Sequence, residues 1–232
     1  MKKLNRYYWL IAQVLIGISL ALPSLVILSH LFAPYSETWI HLRNTVLPDY
    51  ITNSIILLVG VGLGTTFLGV GAAWLIAMCE FPGRNFLNWG LLLPLAMPSY
   101  IIAYAYTDLL DVLGPIQTAL RYVFDWEVGN YNFPPIRSIG GAIFVMSFVL
   151  YPYIYLLARI AFRNQSIDLI ETGKSLGLNS WQCFWRIALP IARPAIVAGL
   201  SLALMEALAD FGTVEYFGVH VFTTGIFRTW YG

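Results

Sequence analysis

Five stretches of nearly unbroken apolar residues alternate with polar intervals along the chain: Tyr8–Phe32, Ile51–Cys79, Asn88–Leu110, Ile139–Arg159 and Pro194–Asp210. A helix crosses the hydrocarbon core of a bilayer in roughly 17–25 mainly apolar residues, so each stretch is long enough to span. A backbone amide in hydrocarbon has no water to pair with, which predicts that each is helical. The pattern therefore predicts an all-α, polytopic membrane helix bundle of about five spans. Two polar intervals are longer than a simple hairpin needs. In the first, Gly114 to Ser138, the piece Pro115–Trp126 places Ile116, Leu120, Val123 and Phe124 in an amphipathic pattern before a Pro134-Pro135 stop. This reads as an interfacial helix or a plain re-entry linker. The second interval separates the fourth and fifth spans.

That second interval has helical punctuation of its own. Gln165–Gly177 reads as a short helix with Ser166 as N-cap, Asp168 in the first turn, Ile167, Ile170 and Leu176 as apolar positions, and Gly177 as C-cap. After Leu178-Asn179 the run Ser180–Ala188 restarts a helix carrying Trp181, Phe184 and Trp185. Leu189-Pro190 is expected to break it, and Arg193-Pro194 to begin the next span. The result is a compact helix-turn-helix.

Composition strengthens the membrane reading. Hydrophobic residues are 59% of the 232 and charged residues 11%, against about 25% charged in a typical soluble domain. The formal net charge of +1 gives no bulk field for nucleic acid. Cys79 and Cys183 are far apart, and His30, His41 and His220 are scattered, so neither a disulfide framework nor a metal site is indicated.

The basic residues suggest an orientation. Lys2, Lys3 and Arg6 precede the first span, Arg84 lies between the second and third, and Arg159, Arg163, Lys174, Arg186 and Arg193 surround the fourth-to-fifth connection. By the positive-inside rule the N-terminus and the polar knuckle face the cytoplasm. Trp39, Tyr100, Tyr104, Tyr122, Trp126, Tyr131, Tyr151 and Tyr153 fall where interfacial aromatic belts are expected. Lys-Lys followed by an apolar run partly fits a cleaved signal, but the run continues to Phe32, past the usual 7–15 residues, which favours an uncleaved span.

Within the knuckle, Glu171, Gly177, Ile187, Leu189 and Pro190 follow the spacing E-x5-G-x9-I-x-L-P. On these residues the chain from about Ile51 onward resembles the integral-membrane permease of binding-protein-dependent ABC importers, type I. The family's loop begins Glu-Ala-Ala, where this chain has Glu171-Thr172-Gly173; glycine weakens a helix by about 1 kcal/mol relative to alanine. The resemblance implies that Asp168, Glu171, Thr172, Gly173, Gly177, Ile187, Leu189 and Pro190 form the coupling loop that docks on a separate ATPase subunit. ATP would be bound by that partner, and this chain would need no cofactor. Further implied partners are a periplasmic or lipid-anchored substrate-binding protein and a second permease half, all at the bacterial inner membrane. An ordinary cytoplasmic loop with a membrane-hugging helix is the plainer alternative.

The stretches Pro190–Gly199, Met205–Gly218 and Phe222–Gly232 resemble ferric-iron importer permeases, in which two six-helix halves share one chain. This implies residues 1–50 as an N-terminal transmembrane helix and outside loop, and 51–232 as a permease domain incomplete at its C-terminal end. A permease for thiamine, a polyamine or another solute, and a non-transporting anchor subunit, are the competing readings.

Two carboxylates lie four apart on the fifth span, Glu206 and Asp210. A carboxylate at bilayer depth normally faces protein or a water-filled path, so they are candidates to line a translocation path. The alternative is that they pair with a neighbouring helix or cap the turn at Phe211-Gly212. Asp108 and Asp111 are expected at the outer surface. Gly60, Gly62, Gly64, Gly69 and Gly71 crowd the second span, predicting close helix packing. Pro94 and Pro98 are expected to kink the third. Gly173-Lys174-Ser175 has Asp168 where a phosphate-binding loop needs its first glycine. No His-Glu-x-x-His or Gly-x-Ser-x-Gly pattern occurs, so no catalytic residue is assigned.

Overall fold

The computed structural model describes residues 2–32, 37–165 and 167–231, all of them in helices and short connections. The chain divides into two units, Met1–Leu47 and Pro48–Gly232. The first holds α1 (Lys2–Ser29), a single 3-10 turn at His30–Phe32, and α2 (Glu37–Thr45). Helix α1 carries Pro23 in its interior, and its stretch Tyr7–Ser29 is apolar on every side with no buried positions. An all-round apolar helix of this length is what a bilayer, not water, tolerates.

The second unit contains α3 (Leu47–Met78), α4 (Arg84–Gly90), α5 (Ser99–Leu110), α6 (Pro115–Phe124), α7 (Ile139–Arg163), α8 (Ile167–Ser175), α9 (Ser180–Cys183), α10 (Leu189–Ala209), α11 (Phe211–Tyr216) and α12 (Phe222–Tyr231). Helix α7 is its axis, with 67% of its most apolar window buried against 28% for α3. Lipid tails are as apolar as leucine, so helices in a membrane gain cohesion from close packing more than from burial itself. The glycines of α3 and α10 provide that packing at Ile154. A Cβ added at Gly69 would lie 2.8 Å from Ile154 Cβ and 2.9 Å from the Tyr151 carbonyl; one added at Gly199 would lie 2.7 Å from Ile154 Cα. Gly60 and Gly64 likewise meet Ile143 and Ser147 of α7, whereas Gly62 makes ordinary contacts and Gly71 faces open space. The expected packing role therefore belongs to three of the five.

Two core clusters stack along α7. One gathers Leu57, Val61, Ala103, Val145, Met146, Val214 and Phe217 around α11. The other gathers Val70, Ile76, Tyr151, Tyr155, Phe162, Phe184 and Ala188 near the α7–α10 connection. The C-terminal helix returns to the start of α3. Asn53 Nδ2 donates to the His220 carbonyl (2.9 Å), and Phe222 N–H donates to Ser54 Oγ (3.1 Å).

Two span expectations need correction. The third stretch is not one kinked helix: α4 with its 3-10 extension Leu93–Ala96 and the α5–α6 segment meet at 103°. Pro98 supplies the reason, because it pushes the preceding residue out of the helical region, and Met97 is extended at φ −119°, ψ 136°. Counting that broken pair, up to five segments among the described residues are long and apolar enough to cross a membrane, and four are continuous. The fifth stretch starts earlier than expected, since Ser180–Ala209 runs on as one helical stretch. Leu189-Pro190 does not break it. A π-helical turn at Phe184–Ala188 leads into α10, where Leu189 N–H donates to the Phe184 carbonyl and Pro190 falls in the first turn. Proline is tolerated there because its missing N–H has no obligatory intrahelical partner.

The amphipathic piece expected over Pro115–Trp126 forms a helix, α6, with Pro115 at its first position and Asp125 at φ 55° ending it. Buried Gln117 anchors it: its Nε2 donates to the Leu110 carbonyl (2.7 Å) and its Oε1 accepts from Tyr131 O–H (2.7 Å). Tyr151 and Tyr153 do not form a surface belt; Tyr151 is 8% exposed and Tyr153 half-buried.

Candidate functional site

The polar knuckle between α7 and α10 is built from two short helices locked at their junction. Helix α8 ends in a Schellman turn. Gly177 has φ +85°, Leu178 N–H donates to the Gly173 carbonyl (3.1 Å) and Gly177 N–H to that of Lys174 (2.9 Å). Two residues later α9 opens with a reciprocal capping box. Asn179 Oδ1 accepts from Gln182 N–H (2.8 Å) and Gln182 Oε1 from Asn179 N–H (2.9 Å). The N–H groups of Leu176, Gly177, Leu178 and Asn179 thus all have short-range partners, so the turn is stiff without any bulky side chain.

Gly173 explains itself here. It is buried, and a Cβ added to it would lie 2.6 Å from Ile187 Cδ1 and 3.3 Å from Cys183 Sγ. The small residue that weakens α8 as a helix is what allows α8 to close on α9 and the π turn. Gly173 and Ile187 of the spacing are therefore brought together, and Gly177 forms the turn that ends α8. Leu189 and Pro190 are half-buried at the root of α10, while Glu171 and Thr172 are exposed on α8. The side chains of Ser166, Ile167, Asp168 and Ile170 lie outside those the structure describes. Leu176 is 79% exposed instead of facing inward, because the Schellman turn directs Leu178, not Leu176, toward Gly173. Trp181 and Trp185 are also exposed, flanking a buried Phe184 whose ring lies 4.8 Å from that of Trp74.

Sequence reasoning missed the foot of the knuckle. Gln165, 9% exposed, follows α7, and its Nε2 donates to the Ala188 carbonyl (2.8 Å), closing the two strands of chain that lead to and from the membrane. A long amide directly after an apolar span was the available signal.

Glu206 and Asp210 do different jobs. Asp210 ends α10 with φ −75°, ψ 98° and caps α11, its Oδ1 accepting from Thr213 N–H (2.9 Å). The cap given as one reading of this carboxylate is therefore formed. Glu206 is exposed and faces a cleft of about 300 Å³ lined by Pro94–Ser99 at the break, by Val149, Leu150 and Tyr153 of α7, and by the carboxylate itself. Asp108 and Asp111 are exposed near the end of α5. Among the described residues no cluster of three or more metal-ligating side chains occurs.

The break exposes carbonyls that a straight helix would satisfy. Leu92 N–H goes to Trp89 and Leu95 N–H to Leu92, while Pro94 has none to give, so Asn88 and Leu91 receive no donor from the following turn. Helix α7 supplies them. Tyr151 O–H donates to the Leu91 carbonyl (2.8 Å), Tyr155 O–H to that of Asn88 (3.1 Å), and Arg159 Nη1 to the Asn88 side-chain and backbone oxygens. The Arg159 guanidinium also sits 5.6 Å from the Tyr155 ring centroid.

A bundle organised around one central helix, with a broken span on one side and a locked polar knuckle at its foot, is the architecture of an ABC importer permease. The fold matches a solved bacterial ABC transporter involved in the import of the acidic polysaccharide alginate, with a TM-score of 0.71 and 20% identity over 99% of this chain and 86% of that one. Residues 66–229 match the family described as binding-protein-dependent transport system inner membrane component, and the chain belongs to that family. It is 29% identical over 150 residues to the molybdenum transport system permease ModB of Haemophilus influenzae, covering 65% of this chain and 62% of that protein. It is 26% identical over 223 residues to the Fe(3+)-transport system permease FbpB 2 of the same organism, covering 95% of this chain and 40% of the relative. The chain thus spans less than two thirds of the length of either relative.

Proposed function

We propose that this chain is a permease component of an ABC importer, coupling ATP hydrolysis on a separate subunit to solute passage through its bundle. The observation that carries the reading is the α8–α9 knuckle. It is locked by Gly177 and the Asn179–Gln182 box, it presents Glu171, Thr172, Trp181 and Trp185 outward, and it continues into the π turn and α10. A stiff protrusion joined to two spans transmits a push; a loose loop absorbs it. In this reading Asp168, Glu171, Thr172, Gly173, Gly177, Ile187, Leu189 and Pro190 form the coupling element. The knuckle and N-terminus face the cytoplasm of a bacterial inner membrane. A substrate-binding protein delivers cargo from the other side, and a second permease half completes the pathway.

For the cargo we favour ferric iron. Glu206 lines the cleft, and a carboxylate there favours a cation over an oxyanion. The alignment with the iron permease also extends over 95% of this chain, α1 included. Molybdate is the second reading, favoured by the higher identity to the molybdenum permease over a shorter stretch.

Reconstitution with an ATPase and binding protein tests both. Glu171→Ala or Gly177→Val is expected to lower ATP-driven uptake at least tenfold while the protein stays in the membrane, because a side chain at φ +85° costs about 1 kcal/mol or more and loosens the tip. Uptake that survives both substitutions removes the coupling assignment. Offering radiolabelled ferric iron and molybdate side by side decides the cargo.

A further inference from the structure

We infer that Tyr151, Tyr155 and Arg159 are positioning residues for transport: they form a strap by which α7 steers the α4 limb of the broken span and so sets the width of the Glu206 cleft. The inference deepens the proposed function, because it supplies the route from knuckle to pathway.

The argument begins with spacing. The three residues are four apart along α7 and share one face of the helix. Their polar atoms all end on carbonyls of one partner, the C-terminal end of α4 and the residue after it. Those carbonyls are the ones the break leaves without backbone donors. Unpaired, each would be costly in a low-dielectric setting, so the limb is held to α7 by need and not by incidental contact.

The other end of the limb is the Pro94–Ser99 segment that walls the cleft. Helix α7 reaches that cleft through Val149, Leu150 and Tyr153. Its lower end reaches the knuckle through Phe162, whose ring centroid lies 6.4 Å from that of Phe184, and through the Gln165 bond to Ala188. One helix therefore touches the knuckle's foot, the strap and the cleft in sequence.

The strap is also not at its tightest. Arg159 Nε is buried without a hydrogen-bond partner, and the only ion pair among the described residues is Arg228–Glu215. A guanidinium paired with neutral oxygens, with one donor unused, binds less strongly than one forked onto a carboxylate. Such a grip can be released and remade during a cycle.

The test reads limb position separately from transport. Leu95 lines the cleft and is 40% exposed, so Leu95→Cys can be titrated with a water-soluble maleimide in the assembled membrane complex, against the same background without that cysteine. Tyr151→Phe with Tyr155→Phe removes two hydroxyls and little else; labelling is expected to quicken about tenfold, the scale of losing a buried hydrogen bond. Asn88→Asp offers Arg159 a carboxylate, so labelling is expected to slow below the parent rate. Solute moved per ATP should fall in the double phenylalanine variant and hold in Asn88→Asp, even as turnover drops. A role limited to stability would not move labelling in opposite directions. If both variants label at the parent rate, the strap is wrong; if the double variant is lost from the membrane, Tyr151→Phe alone and Asn88→Asp decide by the same rule. Labelling needs no ATPase, so a complex that fails to transport counts against the proposed function and not against the strap.

Discussion

Two pairs of prolines lie four residues apart in this chain, Pro94/Pro98 and Pro190/Pro194, and they end in opposite geometries. The first pair sits at a 103° break; the second lies in a helical stretch that runs unbroken from Ser180 to Ala209. Each proline lacks a backbone donor and restricts the residue before it; Pro98 caps α5, Pro94 and Pro190 fall in first turns, and Pro194 lies inside α10. What also differs is where relief comes from. Around Pro190, a π turn shifts the ladder by one residue, Gln165 braces the Ala188 carbonyl, and Gly199 lets α10 lie against α7 backbone to backbone. Around Pro94 the relief comes from hydroxyls and a guanidinium on α7 that accept the break and satisfy what it exposes. Proline permits a bend, and the neighbours decide whether one occurs.

The largest expected effect is at the contact that keeps the second pair straight. Gly199→Val places side-chain carbon against Ile154 Cα, and overpacking of this kind costs about 3 kcal/mol. Most of the folded protein should be lost, measured as the monodisperse fraction in detergent. Gln165→Ala comes next: it removes the brace on Ala188 at a cost of about 1–2 kcal/mol, read as a lower melting temperature and as faster hydrogen exchange confined to the π turn and α9. The smallest effect on stability should be at the prolines themselves. Pro190→Ala is expected to change stability by less than about 1 kcal/mol, because a first-turn proline is nearly neutral. Pro98→Ala should also leave the protein folded, yet it frees Met97 to become helical, which straightens the limb and slows transport. Equal transport losses from the two alanine variants would erase the distinction drawn between the pairs.

Much of this was legible beforehand. Runs of apolar residues located the spans to within a turn in most cases, and Gly177 announced the end of α8 because few other residues take φ +85° at low cost. The break was not legible, and the cap stood only as one reading of the carboxylate pair. Tyr151, Tyr155 and Arg159 lie 60 to 71 residues from the carbonyls they serve, a distance at which pattern along the chain carries no information. The two tyrosines of the strap could be placed at a water interface or inside the bundle with equal ease from composition alone. Glu206 and Asp210 looked equivalent because helical periodicity was carried one turn too far; Asp210 had already left the helix to cap α11. Gly173 looked like a defect until its neighbours Ile187 and Cys183 were known.

Ile154 has Gly69 on one flank and Gly199 on the other, each close enough that no added carbon would fit. Along α3 the grip repeats at Ile143 and Ser147, so α3 and α7 hold together as one piece, whereas the glycine of α10 meets α7 at Ile154 and leaves that pair free to rock against α10. Rotation of the pair about Ile154 would swing its knuckle end and its opposite end in contrary directions, as a seesaw does. A small displacement at the foot would then be mirrored beyond the fulcrum with no change in the packing at its centre.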